Sequence, residues 1–363
     1  MNITLVLAVY NNIHLTKEFY KRLRVLYPNA PLVISNGGST DETNDWLMSL
    51  DDSNLKYYST SERISFSDTY NMGLSLVETD KFVLVHNDMV IGNYFLENLV
   101  SLITEDTLLS YTTIEPPIFS GHRRPGKVIL DLGSSFDDFN QEKFNEYVSS
   151  NKDNCTLYDG AVFFMSGYKK MFDDIGGFDG KTFFPCFCED DDFLLRARLK
   201  GYKLKTTECA ITYHFVSQTS RFSDEMKNKR IIYERNSIRN FIRKWGIPMN
   251  TFNQMEYWNL DDFNFKKTKL SLSTNVLYYV EEFEPFFDKI IYNDSIENYI
   301  KTEQKHTNFD LVSKFNGTES MTNIALKDNL NSKDFEILCQ LQLIIPQYES
   351  GVYEVGNLII EIP

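Results

Sequence analysis

At 363 residues, 42% hydrophobic and 14% aromatic, the chain has the apolar content for one large or two ordinary domains and leaves no case for disorder. A net charge of −14 excludes general attraction to nucleic acid or anionic membrane and leaves that role to a local basic patch. Five cysteines, odd in number and without Cys-x-x-Cys spacing, indicate neither a disulfide framework nor a structural zinc site, so reduced thiols in a cytoplasmic setting are expected.

The N-terminal run Ile3 to Val9 reads as a buried strand, too short for a signal peptide and without a basic leader. Leu15, Phe19, Leu23 and Leu26 follow at helical spacing. A second strand, Pro31 to Ile34, runs into Ser35-Asn-Gly-Gly-Ser-Thr-Asp41, a Gly-rich turn entering a helix over Glu42 to Leu50, with Thr40 or Asp41 as its cap. A third strand, Leu55 to Tyr58, precedes a helix from Phe66 to Val77, and a fourth, Lys81 to Val85, ends in His86-Asn87-Asp88. Strands alternating with helices predict an α/β fold: a mostly parallel sheet flanked by helices, with ligands at the carboxyl edge of its strands.

Beyond Asp88 the pattern loosens to a helix near Asn93 to Ile103, a strand near Leu108 to Thr113, and a polar stretch from Pro116 to Asn154 expected to hold a hairpin and loops. A strand over Ala161 to Ser166, a helix near Tyr168 and the turn Gly176-Gly-Phe-Asp179 lead to an acidic helix, Glu189 to Lys200, stopped by Gly201. Two short strands, Lys203 to Lys205 and Ala210 to His214, precede a long helix from Ser223 to Trp245. Gly246-Ile-Pro248 marks a boundary between a domain at 1–245 and a small α+β accessory region at 246–363 of unassigned role. From Asn250 onward 18 acids face 9 lysines and no arginine, so that region has no guanidinium with which to clamp phosphate. The alternation from Gly351 to Pro363 predicts a terminal hairpin, and no stretch reaches the length of a membrane span.

Three clusters carry chemistry. His86-x-Asp88 sets hard ligands on a strand end, where a divalent ion would also bind phosphate oxygens, and His214, ending a later strand, suits the same cation as a third ligand. Glu189-Asp190-Asp191-Asp192 opens a helix whose dipole favours ionised carboxylates while the neighbouring acids oppose ionisation, which poises one of them to take a proton from a hydroxyl. Between residues 221 and 244 eight bases, from Arg221 to Lys244, face three acids, a candidate surface for a phosphate-rich glycan or nucleic acid in an otherwise acidic chain.

In order and spacing these segments resemble the family-2 glycosyltransferases, inverting nucleotide-sugar transferases with the GT-A fold, over about residues 1 to 245. Leu5-Val-Leu-Ala-Val-Tyr-Asn-Asn12 is similar to the first-strand nucleotide motif and Ser39-Thr40-Asp41 to the second-strand turn. Tyr70-Asn71-Met72-Gly73 resembles the helix before the metal strand, and His86-Asn87-Asp88 stands in the Asp-x-Asp position. Asp159-Gly160-Ala161, Gly176-Gly177-Phe178-Asp179, Glu189-Asp190-Asp191-Asp192-Phe193 with Arg196, and Tyr213-His214 match the later motifs. The resemblance implies a nucleotide contacted by Ala8, Tyr10, Asn36, Asp41, Asn71 and Asp88, and Mn²⁺ or Mg²⁺ on Asp88, His86 and His214. It also implies Asp190 as the base, aided by Glu189, and a UDP-, GDP- or dTDP-sugar donor with a hydroxyl acceptor. Two departures stand out: Ser35-Asn36 replaces the usual acid that reads the base, and His86 replaces the first acid of Asp-x-Asp. The same sheet would also serve an inactive carbohydrate- or nucleotide-binding scaffold, or a nucleotidyltransferase, which releases pyrophosphate.

Overall fold

The strand Ile3–Val9 (β1) is buried at nearly every position, as a strand covered on both faces must be, and so it reads as an unbroken apolar run. The computed structural model describes residues 2–119, 124, 126–216, 228–249, 267–316, 321–327 and 329–363. From β1 the chain passes through α1 (Ile13–Leu26), β2 (Leu32–Asn36), α2 (Thr43–Ser49), β3 (Leu55–Ser59), α3 (Phe66–Ser75) and β4 (Lys81–Val85). The strands pair in parallel in the order β3-β2-β1-β4, with Val9 beside Asn36 and Leu7 beside Val85. That register brings the segments after Val9, Asn36 and Val85 out at one edge of the sheet.

The chain continues through β5 (Met89–Ile91), α4 (Phe95–Leu102), β6 (Thr107–Glu115), β7 (Lys127–Ile129), α5 (Gln141–Asn151), β8 (Leu157–Asp159), β9 (Met165–Tyr168), α6 (Lys169–Ile175), α7 (Glu189–Leu199) and β10 (Lys203–His214). These extend the sheet as β4-β9-β6-β10-β5, with β7 on β6 and β8 on β10. β10 is parallel to β6, while β9, β5 and β8 run antiparallel to their neighbours. The result is the mostly parallel, helix-flanked sheet that the alternation of elements predicts.

Several expectations need correction. The stretch from Pro116 to Asn154 holds no hairpin among its described residues. β7 lies parallel to β6, and α5 is a helix that buries only Phe144 and Val148, too few apolar positions to show a period. The strand expected from Ala161 begins at Met165. The two strands expected between Lys203 and His214 are one, β10, with a register shift against β6 between Thr206 and Ile211. Cys155 and Cys209 are joined in a disulfide across 54 residues, so the thiol argument for a reducing compartment does not hold.

The chain divides into two compact units, Met1–Gly180 with Phe184–Ile231, and Lys181–Phe183 with Ile232–Pro363. The division falls near the start of α8 (Arg230–Trp245), whereas the glycine at 246 pointed to its end; the part of that helix expected before residue 228 lies outside the described residues. In the second unit β11 (Leu270–Ser273), β12 (Lys289–Ile291) and β13 (Thr322–Leu326) pair in parallel. A hairpin of β14 (Gly351–Val355) and β15 (Leu358–Ile362) adds to β13, in the order β12-β11-β13-β15-β14. Phe283, Phe286 and Phe287 belong to this unit's own core, with Ile242, Leu272, Ile324 and Ile360. Arg239 and Arg243 also point inward, against the expectation of a basic docking face. Arg239 meets Glu303 at 2.6 Å, Arg243 meets Glu284 at 2.6 Å and Glu303 at 2.7 Å, and Lys314 meets Glu284 at 2.5 Å. Arg221 and Lys227 lie outside the described residues.

Candidate active site

β4 delivers His86, Asn87 and Asp88 to the carboxyl edge of the first unit's sheet. The Asn87 amide donates to Thr16 Oγ1 of α1 at 3.1 Å, and the Phe215 N–H donates to the Asp88 carbonyl at 2.9 Å, which fixes the turn between β4 and β5 to α1 and to the end of β10. β10 pairs with β5 so that His214 lies opposite Met89, next to Asp88. Asp88 Oδ1 is 3.4 Å from His214 Nε2 and 3.9 Å from His86 Nδ1, and one ligand atom from each of the three lies within 4.8 Å of the others. Neighbouring donors on bonds of about 2.1 Å sit roughly 3 Å apart, so the set fits one divalent ion after a small contraction. His86 is enclosed by the rings of Phe66, Phe163 and Phe164, and its Nε2 makes no hydrogen bond among the described residues. Burial pushes its imidazole down to about 4, against the pull of Asp88, leaving a neutral ring with a free lone pair. Burial also opposes the charge on His214, but Asp88 and then Glu115 outweigh it and bring that imidazole up to about 9. A cation at Asp88 would compete with this proton.

Glu115, which closes β6, was not among the expected site residues. Its Oε1 lies 3.5 Å from His214 Nδ1, an ion-pair rather than a hydrogen-bond separation. Burial would raise this carboxyl, yet His214, Arg124 at 2.9 Å and Lys127 at 3.2 Å bring it down to about 2. An anion behind the imidazole orients the ring and strengthens it as a ligand. The signal was present in the sequence as a lone carboxylate ending a buried strand.

The loops after β1 and β2 are joined to each other. Asn11 and Asn12 take left-handed backbone, at φ 55 and 58, which asparagine tolerates better than most residues. The Asn11 N–H donates to Ser39 Oγ at 2.7 Å, the Thr40 N–H donates to Asn11 Oδ1 at 2.8 Å, and Asp41 accepts from the Ile13 N–H at 3.0 Å and the Thr43 N–H at 3.1 Å. Asn36 is buried, accepting from the Ser39 N–H and donating to Ser59 Oγ, so its amide shapes the turn. Asn71 both donates to the Phe178 carbonyl at 2.8 Å and accepts from the Phe178 N–H at 2.9 Å. Asn36, Asp41 and Asn71, expected as nucleotide contacts, are thus each engaged in internal bonds. Ala8, half-buried in β1 beside Ser35, offers a small side chain, and Tyr10 carries the Arg63 guanidinium 4.5 Å over its ring. Arg63 is a second residue that motif reading missed.

α7 is entered through Phe187 and Cys188, both left-handed at φ 81 and 66, a conformation that costs of order 1–3 kcal/mol per non-glycine residue and clusters at functional sites. Glu189 is buried and its Oε2 makes no hydrogen bond among the described residues; burial and then Asp190 push its carboxyl well above the usual range. Asp190 and Asp191 are half-buried and also raised, burial being the largest cause for each. Tyr70 links this helix to the His86–Asp88–His214 group. Its hydroxyl donates to the Val85 carbonyl at 2.8 Å at the end of β4, and its phenol, raised chiefly by burial, also feels both Asp88 and Glu189. Phe66 repeats the link, with its ring against His86 and its N–H donating to the Pro185 carbonyl ahead of α7.

Residues 4–176 match the family model described as Glycosyl transferase family 2. This part of the chain is a family-2 glycosyltransferase domain. The match ends before α7 and His214. No curated protein matches the chain. Among solved structures it is similar to the mannosyltransferase PcManGT from Pyrobaculum calidifontis in complex with GDP-Man and Mn²⁺, at 16% identity, over 67% of this chain and 63% of that one, with a TM-score of 0.44. It is also similar to S. aureus TarS 1-349 in complex with UDP, at 14% identity, over 100% of this chain and 97% of that one, with a TM-score of 0.47. The chain thus covers less than two thirds of the mannosyltransferase's length.

Proposed function

We propose that the family-2 domain transfers a sugar, with inversion, from a UDP-, GDP- or dTDP-sugar to a hydroxyl acceptor. The observation that carries this reading is the grouping of Asp88 with His86 and His214 at the end of β4, next to Tyr70, whose phenol feels both Asp88 and Glu189, the residue before Asp190. The nucleotide would lie over the joined loops after β1 and β2, with Tyr10 and Arg63 beside it. Asp88, His86 and His214 would hold a divalent ion. Two imidazoles in the set favour Mn²⁺ over Mg²⁺, which prefers oxygen ligands alone. Such an ion neutralises charge on the departing diphosphate.

Asp190, half-buried and beside the more deeply buried Glu189, is the base. It takes the proton of the acceptor hydroxyl as that oxygen bonds to the anomeric carbon and the bond from that carbon to the diphosphate breaks on the opposite face. Glu189, whose burial favours the protonated form, donates a hydrogen bond that orients the acceptor or Asp190. Arg239 and Arg243, held by Glu284 and Glu303, are engaged within the second unit and are not offered to a polyanionic acceptor. The test is a thermal-shift screen of UDP, GDP, dTDP and their sugars with and without Mn²⁺, since a ligand that binds the folded state raises its apparent stability. A Mn²⁺-dependent shift with at least one nucleotide, and release of nucleoside diphosphate and not pyrophosphate from its sugar, is expected; no shift with any would favour an inactive scaffold.

A further inference from the structure

The helix that carries the base is not held by its own cap: Cys188 at its N-terminus makes no side-chain capping bond. Its apolar face packs in the core, with Phe193 on the rings of Phe172 and Phe178. Arg196 adds directed polar bonds to this packing. Glu189, Asp192 and Arg196 share one helical face at i, i+3 and i+7. The Arg196 guanidinium donates through Nε to the buried Asp192 at 2.9 Å, and through its two terminal nitrogens to the carbonyls of Ile175 at 2.8 Å and Gly177 at 2.6 Å. Those carbonyls end α6, where a cation is favoured. The next residue, Phe178, has both backbone polar groups gripped by Asn71, one position from Tyr70, whose hydroxyl closes β4 above the metal cluster. Gly177 makes the grip possible, since its φ is 68 and a Cβ there would lie 2.9 Å from Asn71 Oδ1.

We propose that Arg196 is a positioning residue: with Asp192, Gly177 and Asn71 it forms a latch that sets the angle at which α7 presents Glu189 and Asp190 to the metal side of the site. The latch rests on the reading of Asp190 as the base. A forked donor is required, because the guanidinium serves two carbonyls and a carboxylate at once, which an ammonium on a flexible stem does not do with the same geometry.

The test compares wild type, Arg196→Lys and Arg196→Ala, assayed as Mn²⁺-dependent release of nucleoside diphosphate from a panel of UDP-, GDP- and dTDP-sugars. In Arg196→Lys turnover should fall about 10²-fold, the scale of an ångström misplacement. The donor KM and the calorimetric affinity for the matching nucleoside diphosphate with Mn²⁺ should stay within about twofold, since binding precedes the base's step. Amide exchange should quicken over residues 190–196 and remain unchanged over β4. Guanidinium ion, but not methylammonium, should restore part of the turnover of Arg196→Ala; if that variant does not fold, Arg196→Lys decides. Wild-type turnover in Arg196→Lys, or parallel loss of turnover and nucleotide binding, overturns the latch. Full turnover in both Asp190→Asn and Glu189→Gln, or no release from any donor by wild type, overturns instead the reading on which the latch rests.

Discussion

Asp190 and Glu189 are adjacent in sequence and differ in surroundings, and their roles separate on that basis. Asp190→Asn should leave nucleotide affinity within a few-fold of wild type and lower transfer by about 10²-fold or more, the usual scale for a lost general base. Glu189→Gln keeps a hydrogen-bond donor where burial already favours the neutral acid, so it should be the milder change; a far larger loss than in Asp190→Asn would reverse the two roles. Asp88→Ala should abolish Mn²⁺-dependent nucleotide binding, read by calorimetry, while the fold persists. Asp88 lies in a turn held by Asn87 and Phe215. Retention of Mn²⁺-stimulated turnover would remove the metal assignment.

At the scale of elements, β1 to β4 were legible because a strand buried on both faces writes itself as an apolar run. The helices between them bury regular stripes, such as Leu15, Phe19 and Leu23 in α1. The acidic start of α7 was legible for the opposite reason, as four acids in a row are costly unless placed with purpose. What could not be read depends on partners distant in the chain: Asn36 is bonded to Ser59 and Asn71 to Phe178, and Glu115 gains its meaning from His214, 99 residues on. The disulfide is of the same kind. Cys209 lies in the irregular part of β10, five residues before His214, and Cys155 in the loop after α5, with no spacing to announce the pair. Closing a loop of 54 residues stabilises by constraining the unfolded chain. Cys155→Ser should therefore cost about 2–4 kcal/mol, measured by urea unfolding, and dithiothreitol should lower the wild-type midpoint to the same value without affecting the variant.

For the molecule as a whole, the second unit depends on a buried charge cluster. Burial would raise the Glu284 carboxyl, but Lys314 and Arg243 outweigh it and hold it well below the usual range, and Glu303 is lowered in the same way by Arg239 and Arg243. Both therefore contribute stability above the unfolded carboxyl value of about 4.3 and lose it as pH falls through their depressed folded values. Acid titration should unfold this unit from about pH 4 downward, and Glu284→Gln, which leaves Arg243 and Lys314 without their anion, should cost about 3–5 kcal/mol at neutral pH. The same cluster decides what a chain ending at Asn250 would do. It loses Glu284, Glu303 and the core around Leu272, so α8 keeps Arg239 and Arg243 without these counter-ions and exposes Ile242. Thr182 keeps its bond from the Asn240 amide, on a helix that has lost its packing partners, and loses its bond from Asn308. Every residue proposed to touch nucleotide or metal lies before Phe215. The truncated chain should therefore bind the nucleoside diphosphate and Mn²⁺ with near wild-type affinity by calorimetry and show reduced helix content by circular dichroism. A soluble, monodisperse product that binds none of UDP, GDP or dTDP with Mn²⁺ would assign part of the nucleotide site to the second unit.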